Sequence, residues 1–109
     1  MDRKARYTTV LVVDDEAVIH DVLDRIFRKS GITLEHAMTA DEALGRIKEG
    51  YGAVLTDIRM PGVDGIQLLR RIKQLDPNLE VLIMTGYASM ESAMKATKYG
   101  AMTYLTKPF

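Results

Sequence analysis

Apolar and polar positions alternate in blocks along the whole chain. Three blocks are short, continuous apolar runs, at residues 10–13, 53–55 and 81–84. Such runs are typical of strands that are buried on both faces of a parallel sheet. Two weaker runs, at residues 33–37 and 103–105, predict a second and a fifth strand.

The segment between the first two strands predicts an amphipathic helix. Its apolar residues recur at positions i, i+3, i+4, i+7 and i+8, which lie on one face of an α-helix. They are Ile19, Val22, Leu23, Ile26 and Phe27. Gly31 favours the end of this helix, because glycine readily adopts the left-handed conformation that terminates helices. This segment is therefore the first predicted crossover helix.

Three further helices are indicated by residues that cap helix N-termini. Thr39 with Glu42, and Asp64 with Gln67, have the spacing of a capping box, in which side chains satisfy free backbone N–H groups. Ser89 is the expected cap of the fourth helix. The residues predicted on one side of that helix are Met90, Ala93, Met94 and Thr97. We expect the methionines to fill gaps in the core.

Composition narrows the classes of function. The length of 109 residues predicts one domain, and the balance of 15 basic against 15 acidic residues gives no indication of a nucleic-acid or membrane partner. The absence of cysteine excludes disulfides, thiolate metal sites and a cysteine nucleophile, and fits a reducing compartment. No apolar run is long enough to span a membrane, and the polar start leaves no room for a signal peptide. The expected location is the cytoplasm.

The alternation of strands and helices predicts an open parallel sheet with helices on both faces. In such sheets ligands bind at the carboxyl ends of the strands, where the strand order reverses. Four of the five predicted strands deliver polar groups to that edge. These groups are Asp14, Asp15, Glu16, Asp57, Thr85 and Lys107.

Each of these residues also has a purely structural interpretation. Asp14 or Asp15 can cap the first helix, Asp57 and Thr85 can belong to turns, and Lys107 can be a solvated surface lysine.

Taken together, the same residues indicate phosphoryl chemistry. Three carboxylates at one edge repel one another unless a cation joins them, and Mg²⁺ prefers such oxygen ligands. A carboxylate beside Mg²⁺ can attack a phosphoryl group and form an acyl phosphate. The hydroxyl of Thr85 and the ammonium of Lys107 could hold the remaining phosphoryl oxygens.

Four motifs in order resemble the receiver domains of two-component response regulators, and the resemblance covers the whole chain. The motifs are Val12-Val13-Asp14-Asp15-Glu16, residues 55–62 followed by Asp64-Gly65, Met84-Thr85-Gly86, and Gly100-Ala101 leading to residues 104–109. The resemblance implies a flavodoxin-like α/β fold with strand order 2-1-3-4-5. It also implies a signalling phosphoacceptor, with a sensor histidine kinase as phosphodonor and a downstream output domain or protein as target.

The resemblance further implies a role for each acidic residue of the site. Asp57 is similar to the family's phosphoacceptor. Asp15, Asp57 and the backbone carbonyl of Arg59 would bind Mg²⁺ directly, and Asp14 would act through water.

A switch is implied by three more residues. Thr85 and Lys107 match the hydroxyl and the lysine that contact the phosphoryl group, and Tyr104 matches an aromatic residue whose rotamer follows phosphorylation. The two histidines, His20 and His36, lie outside this set, and we expect them to be ordinary surface or core residues.

Other classes of function fit the sequence less well. A phosphatase or phosphotransferase with an Asp nucleophile often needs a second acid two residues later, where this chain has Arg59, and it also needs a lid or cap domain. A docking module that has lost the chemistry would carry substitutions in the acidic pair, the acceptor or the lysine. A nucleotide-binding role is not indicated, because no Gly-rich phosphate loop follows the first strand of this sequence.

Receiver domains continue beyond the Lys-Pro dipeptide into a fifth helix, whereas this sequence stops at Phe109. We therefore expect residues 1–109 to be a receiver domain truncated before its C-terminal helix. One face of the sheet would then lack the helix that normally packs against it. Such a face favours self-association, and we expect it to take the form of a homodimer. Residues 85–89 and 105–109 are similar to receivers fused to ATPase-type transcription activators.

Overall fold

A computed structural model describes residues 8–60, 62, 64–86 and 90–106, in which strands and helices alternate. The strands are β1 Thr9–Val13, β2 Thr33–Ala37, β3 Ala53–Asp57, β4 Glu80–Thr85 and β5 Thr103–Thr106. The helices are α1 Ala17–Phe27, α2 Ala40–Arg46, α3 Gly65–Leu75 and α4 Met90–Lys98, and a short 3₁₀ turn, Ile47–Glu49, follows α2. The predicted series of elements is confirmed within these residues.

The five strands form one parallel sheet in the order β2-β1-β3-β4-β5, as predicted. The order reverses between β1 and β3, where Val13 pairs with Thr56. The crevice at the carboxyl ends of these two strands is therefore the expected place for a ligand.

Apolar side chains alternate between the two faces of the sheet. Leu11, Val54 and Ile83 belong to a large core with residues of α2, α3 and α4, whereas Val12 and Met84 belong to a smaller core with α1. Helices thus cover both faces, and α1 is the one helix on the second face among the residues that the structure describes. None of the described helices offers an apolar stretch long enough to cross a membrane.

The predicted buried faces of two helices, α1 and α4, are partly wrong. Ile26 of α1 is 52% exposed, and Met94 of α4 is 65% exposed. Among residues 94–98, the part of α4 whose burial is described, Ala96 enters the core, and Tyr99 packs beside it. The guanidinium carbon of Arg70 on α3 lies 4.5 Å from the centre of the ring of Tyr99, which directly follows α4. Met102 is exposed as well, so only some of the methionines fill the core.

A hydrogen-bond network fixes β2 against α2. Arg46 donates to Oε1 of Glu35 at 2.6 Å and to the backbone carbonyl of His36 at 2.8 Å. The hydroxyl of Tyr51 donates to the same oxygen of Glu35 at 2.8 Å. Burial, followed by this bond to Glu35, holds the pKa of Tyr51 well above its usual range, so the phenol remains a donor. The strand that adjoins β1 is thereby held in place.

The helix caps follow the sequence with one difference. The backbone N–H of Gln67 donates to Oδ1 of Asp64 at 2.8 Å, as predicted. The N–H of Glu42 donates to the Thr39 hydroxyl at 3.1 Å, but the Glu42 carboxylate accepts from the N–H of Met38 rather than from that of Thr39. The predicted Ser89 cap lies outside the described residues.

The Asp64 cap gives a stability prediction. Asp64→Ala removes the acceptor of an otherwise free N–H at the start of α3, so we expect the free energy of unfolding to fall by about 1 kcal/mol. Urea unfolding followed by circular dichroism measures this change. Gln67→Ala is the matched control, because it keeps the backbone N–H that makes the bond. An equal loss of stability in both variants would contradict the capping role.

Candidate functional site

Four carboxylates meet at the crevice between β1 and β3. Asp14, Asp15 and Glu16 directly follow β1, and Asp57 is the last residue of β3. Each of the four offers an oxygen that lies within 4.8 Å of the corresponding oxygens of the others. The predicted convergence of Asp14, Asp15 and Asp57 is therefore observed, and Glu16 joins them. We call these four residues the acidic cluster.

The acidic cluster has a buried half and an exposed half. Asp14 is fully buried and Asp57 is 4% exposed, whereas Asp15 and Glu16 face solvent. Buried carboxylates that share a small volume favour the binding of a cation, because a cation offsets both their desolvation and their mutual repulsion. All four donors are carboxylates, and their exposed side leaves room for water. This set fits Mg²⁺, which keeps several waters beside one or two carboxylates.

Asp14 is held by its backbone and by its side chain. Its N–H donates to the carbonyl of Ala37 at 3.2 Å, and its Oδ1 accepts from the N–H of Glu16 at 2.9 Å. The N-cap of α1 is Glu16, whose side chain makes no capping hydrogen bond. The alternative interpretation of Asp14 or Asp15 as helix cap therefore does not hold.

Asp57 is positioned by the close approach of α3. A Cβ atom on Gly65, the first residue of α3, would lie 2.1 Å from the carbonyl oxygen of Asp57 and 2.7 Å from Cα of Ile58. The N–H of Gly65 donates to the carbonyl of Ile58 at 2.8 Å. Only glycine permits this contact, which sequence reasoning missed. The position of Gly65 directly after the Asp64 cap was the available signal.

Thr85 and Tyr104 lie on the two strands beyond β3. Thr85 ends β4, is 1% exposed and is paired with Thr106 of β5. Met84, one residue earlier, is paired with Asp57, so Thr85 lies one register position beyond Asp57 on the neighbouring strand. Tyr104 is paired with Ile83 through its backbone.

The remaining predicted site residues lie after β3 and after β5. Arg59 is exposed in the loop between β3 and α3. Lys107, predicted to contact the phosphoryl group, falls outside the described residues, and so does the side chain of Tyr104.

Comparison with known proteins agrees with this geometry. Residues 10–109 match the family model of the response regulator receiver domain. Sporulation initiation phosphotransferase F of Bacillus subtilis is 38% identical over 101 residues, which cover 92% of this chain and 82% of that protein. The DNA-binding transcriptional regulator NtrC of Escherichia coli is 43% identical over 103 residues, covering 92% of this chain but only 22% of NtrC. This chain therefore spans about a fifth of that regulator.

Solved structures show the same fold. The beryllofluoride-activated NtrC4 receiver domain dimer has a TM-score of 0.88 and 39% identity, covering 94% of this chain and 85% of that chain. The response regulator TrrA of Thermotoga maritima, solved in complex with Mg²⁺ and BeF, has a TM-score of 0.83 and 29% identity. The match covers 93% of this chain and 87% of that chain. The chain belongs to the response regulator receiver domains, the phosphoacceptor domains of two-component signalling systems.

Proposed function

We propose that Asp57 accepts a phosphoryl group from a sensor histidine kinase in a Mg²⁺-dependent reaction, and that the domain then changes shape to control an output domain or partner. The observation that carries this proposal is the acidic cluster, in which the nearly buried Asp57 lies beside three further carboxylates at the point where the strand order reverses. The chain would catalyse only its own phosphorylation and dephosphorylation, which makes it a signalling phosphoacceptor rather than an enzyme with external substrates.

The proposed Mg²⁺ site uses Asp15, Asp57 and the backbone carbonyl of Arg59, with Asp14 acting through water. The all-oxygen donor set and the exposed side of the cluster support this assignment. Bound Mg²⁺ would supply positive charge that neutralises the phosphoryl oxygens during transfer.

In the proposed reaction, a carboxylate oxygen of Asp57 attacks the phosphorus atom of the donor. The bond between phosphorus and the donor's leaving group breaks, and the leaving group takes the electron pair. Asp57 thereby becomes an acyl phosphate. Gly65 holds the Asp57 backbone in place for this attack through the close packing of α3. Lys107 is proposed to hold a phosphoryl oxygen by charge-assisted hydrogen bonding.

The proposed switch starts at Thr85. A phosphoryl group on Asp57 adds strong acceptors and roughly −1.5 to −2 charge, which can draw a nearby hydroxyl inward. Thr85 is buried at the end of the adjacent strand, and its pairing with Thr106 links it to β5, which carries Tyr104. We propose that Tyr104 changes rotamer as Thr85 moves.

The partners that we propose are a histidine kinase and an output domain or protein. The NtrC4 receiver domain was solved as a dimer, and we extend the proposal of a homodimer to this chain. We propose the cytoplasm as the compartment, because a kinase phosphodonor depends on ATP.

The Mg²⁺ requirement is testable with a small acyl-phosphate donor. We expect intact-mass analysis to show one added phosphoryl group with Mg²⁺ and none after chelation, because the carboxylates repel the donor when no cation is bound. Asp15→Asn should raise the Mg²⁺ concentration needed for half-maximal labelling by about tenfold or more. Asp41→Asn, an exposed acid in the first turn of α2, is the matched control and should leave that concentration unchanged. Equal labelling with and without Mg²⁺ would overturn the proposed site.

A further inference from the structure

Two histidines face each other on the sheet face covered by α1. His20 lies on α1 and is 6% exposed, and His36 lies on β2 with 28% of its side chain exposed. Their Nδ1 atoms are 2.5 Å apart, and the two rings are nearly perpendicular at 79°. The expectation that both are ordinary surface or core residues did not include this contact, because two histidines 16 positions apart give no sign of it in the sequence.

The outer nitrogen of each ring contacts an acceptor. Nε2 of His20 lies 2.8 Å from the backbone carbonyl of Asp14, and Nε2 of His36 lies 2.9 Å from Oδ1 of Asp24. A carbonyl and a carboxylate only accept hydrogen bonds, so each Nε2 must carry the hydrogen and donate it. In both neutral imidazoles the hydrogen is therefore on Nε2.

The fixed tautomers place two lone pairs in opposition. A neutral imidazole with hydrogen on Nε2 has its lone pair on Nδ1, and the two Nδ1 atoms point at each other. The two lone pairs repel each other, and a metal ion bound by both nitrogens would remove this repulsion. Histidines that bind metals usually donate their other N–H to a carboxylate or a backbone carbonyl, which fixes the ring. Here Asp24 supplies the carboxylate for His36, and Asp14 supplies the backbone carbonyl for His20.

We propose that Nδ1 of His20 and Nδ1 of His36 bind a borderline transition-metal ion of the Cu²⁺ or Zn²⁺ class. Imidazole nitrogen suits these ions, whereas Mg²⁺ prefers the oxygens of the acidic cluster. Metal–nitrogen bonds of about 2.0–2.1 Å require the two nitrogens to separate by roughly an ångström. His36 can make this shift because it is the more exposed ring. Water would complete the coordination of the ion.

The site adjoins the acidic cluster but does not share its donor atoms. His20 contacts the backbone carbonyl of Asp14, whereas the Asp14 carboxylate accepts from the N–H of Glu16. A metal ion at the histidines and Mg²⁺ at the acidic cluster can therefore be bound at the same time. An excess of Mg²⁺ should keep other ions out of the acidic cluster during a test.

Electron paramagnetic resonance of Cu²⁺ tests the proposal. Substoichiometric Cu²⁺ added to the protein in excess Mg²⁺ should show hyperfine coupling to two imidazole nitrogens. His36→Gln should reduce this coupling to at most one nitrogen and should weaken Cu²⁺ binding. If Cu²⁺ bound the parent no more tightly than it binds His36→Gln, or without nitrogen coupling, the proposal would be wrong.

A second pair of variants tests the role of Asp24 without changing either histidine. Asp24→Asn removes the carboxylate that fixes His36, so we expect roughly 10- to 100-fold weaker Cu²⁺ binding. Asp21→Asn removes the same charge from an exposed position on the same helix and should change binding little. Equal weakening in the two variants would overturn the claim that Asp24 positions His36 as a ligand.

Discussion

Replacing Gly65 with alanine is expected to lower the free energy of unfolding by about 2–3 kcal/mol and to slow phosphorylation of the domain. The new Cβ would lie 2.1 Å from the carbonyl oxygen of Asp57 and 2.7 Å from Cα of Ile58. Both atoms belong to the backbone, so the clash cannot be relieved by a side-chain rotation. Either α3 moves outward or the end of β3 moves, and both changes alter the packing around the proposed phosphoacceptor.

Urea unfolding of Gly65→Ala beside Gly45→Ala measures this effect. Gly45 lies within α2, and a Cβ there meets no atom within 4 Å. Alanine is the better helix former by about 1 kcal/mol, so Gly45→Ala should be neutral or stabilising. If the two variants were equally stable, the close packing of α3 against Asp57 would not be a constraint on this fold.

Asp57→Asn is expected to abolish phosphorylation by a small acyl-phosphate donor in the presence of Mg²⁺. The amide has no anionic oxygen to attack phosphorus, and Asp57 is the member of the acidic cluster that lies within a strand, as the last residue of β3. Intact mass measures the loss. The base-labile signal of an acyl phosphate should vanish with it.

Asp64→Asn is the matched control for Asp57→Asn. It makes the same chemical change a few residues later, outside the acidic cluster, and asparagine caps a helix about as well as aspartate. We expect this variant to be phosphorylated like the parent. Undiminished labelling of Asp57→Asn would show that Asp57 is not the phosphoacceptor.

The sequence was sufficient to predict the sheet and the convergence of Asp14, Asp15 and Asp57. Parallel strands with short crossovers bring their carboxyl ends to one edge, so residues that end β1 and β3 must meet there. The prediction used only strand positions, which continuous apolar runs identify well.

Contacts between elements could not be predicted from local patterns. The apolar spacing of α4 allowed more than one packing face, and in the structure Ala96 is buried whereas Met94 is exposed. The tight approach of Gly65 to Asp57 depends on how α3 packs at the end of β3. The pairing of His20 with His36 depends on how α1 lies against β2. Each is a property of the tertiary arrangement.

Reductive trapping of the phosphorylated protein tests the central claim most directly. Borohydride converts an aspartyl phosphate to homoserine, and peptide mass spectrometry then identifies the modified position. After incubation with Mg²⁺ and an acyl-phosphate donor, we expect homoserine at position 57 alone, and none when Mg²⁺ is chelated. Homoserine at Asp14 or Asp15, or an unmodified Asp57 in a protein that has gained a phosphoryl group, would contradict the assignment.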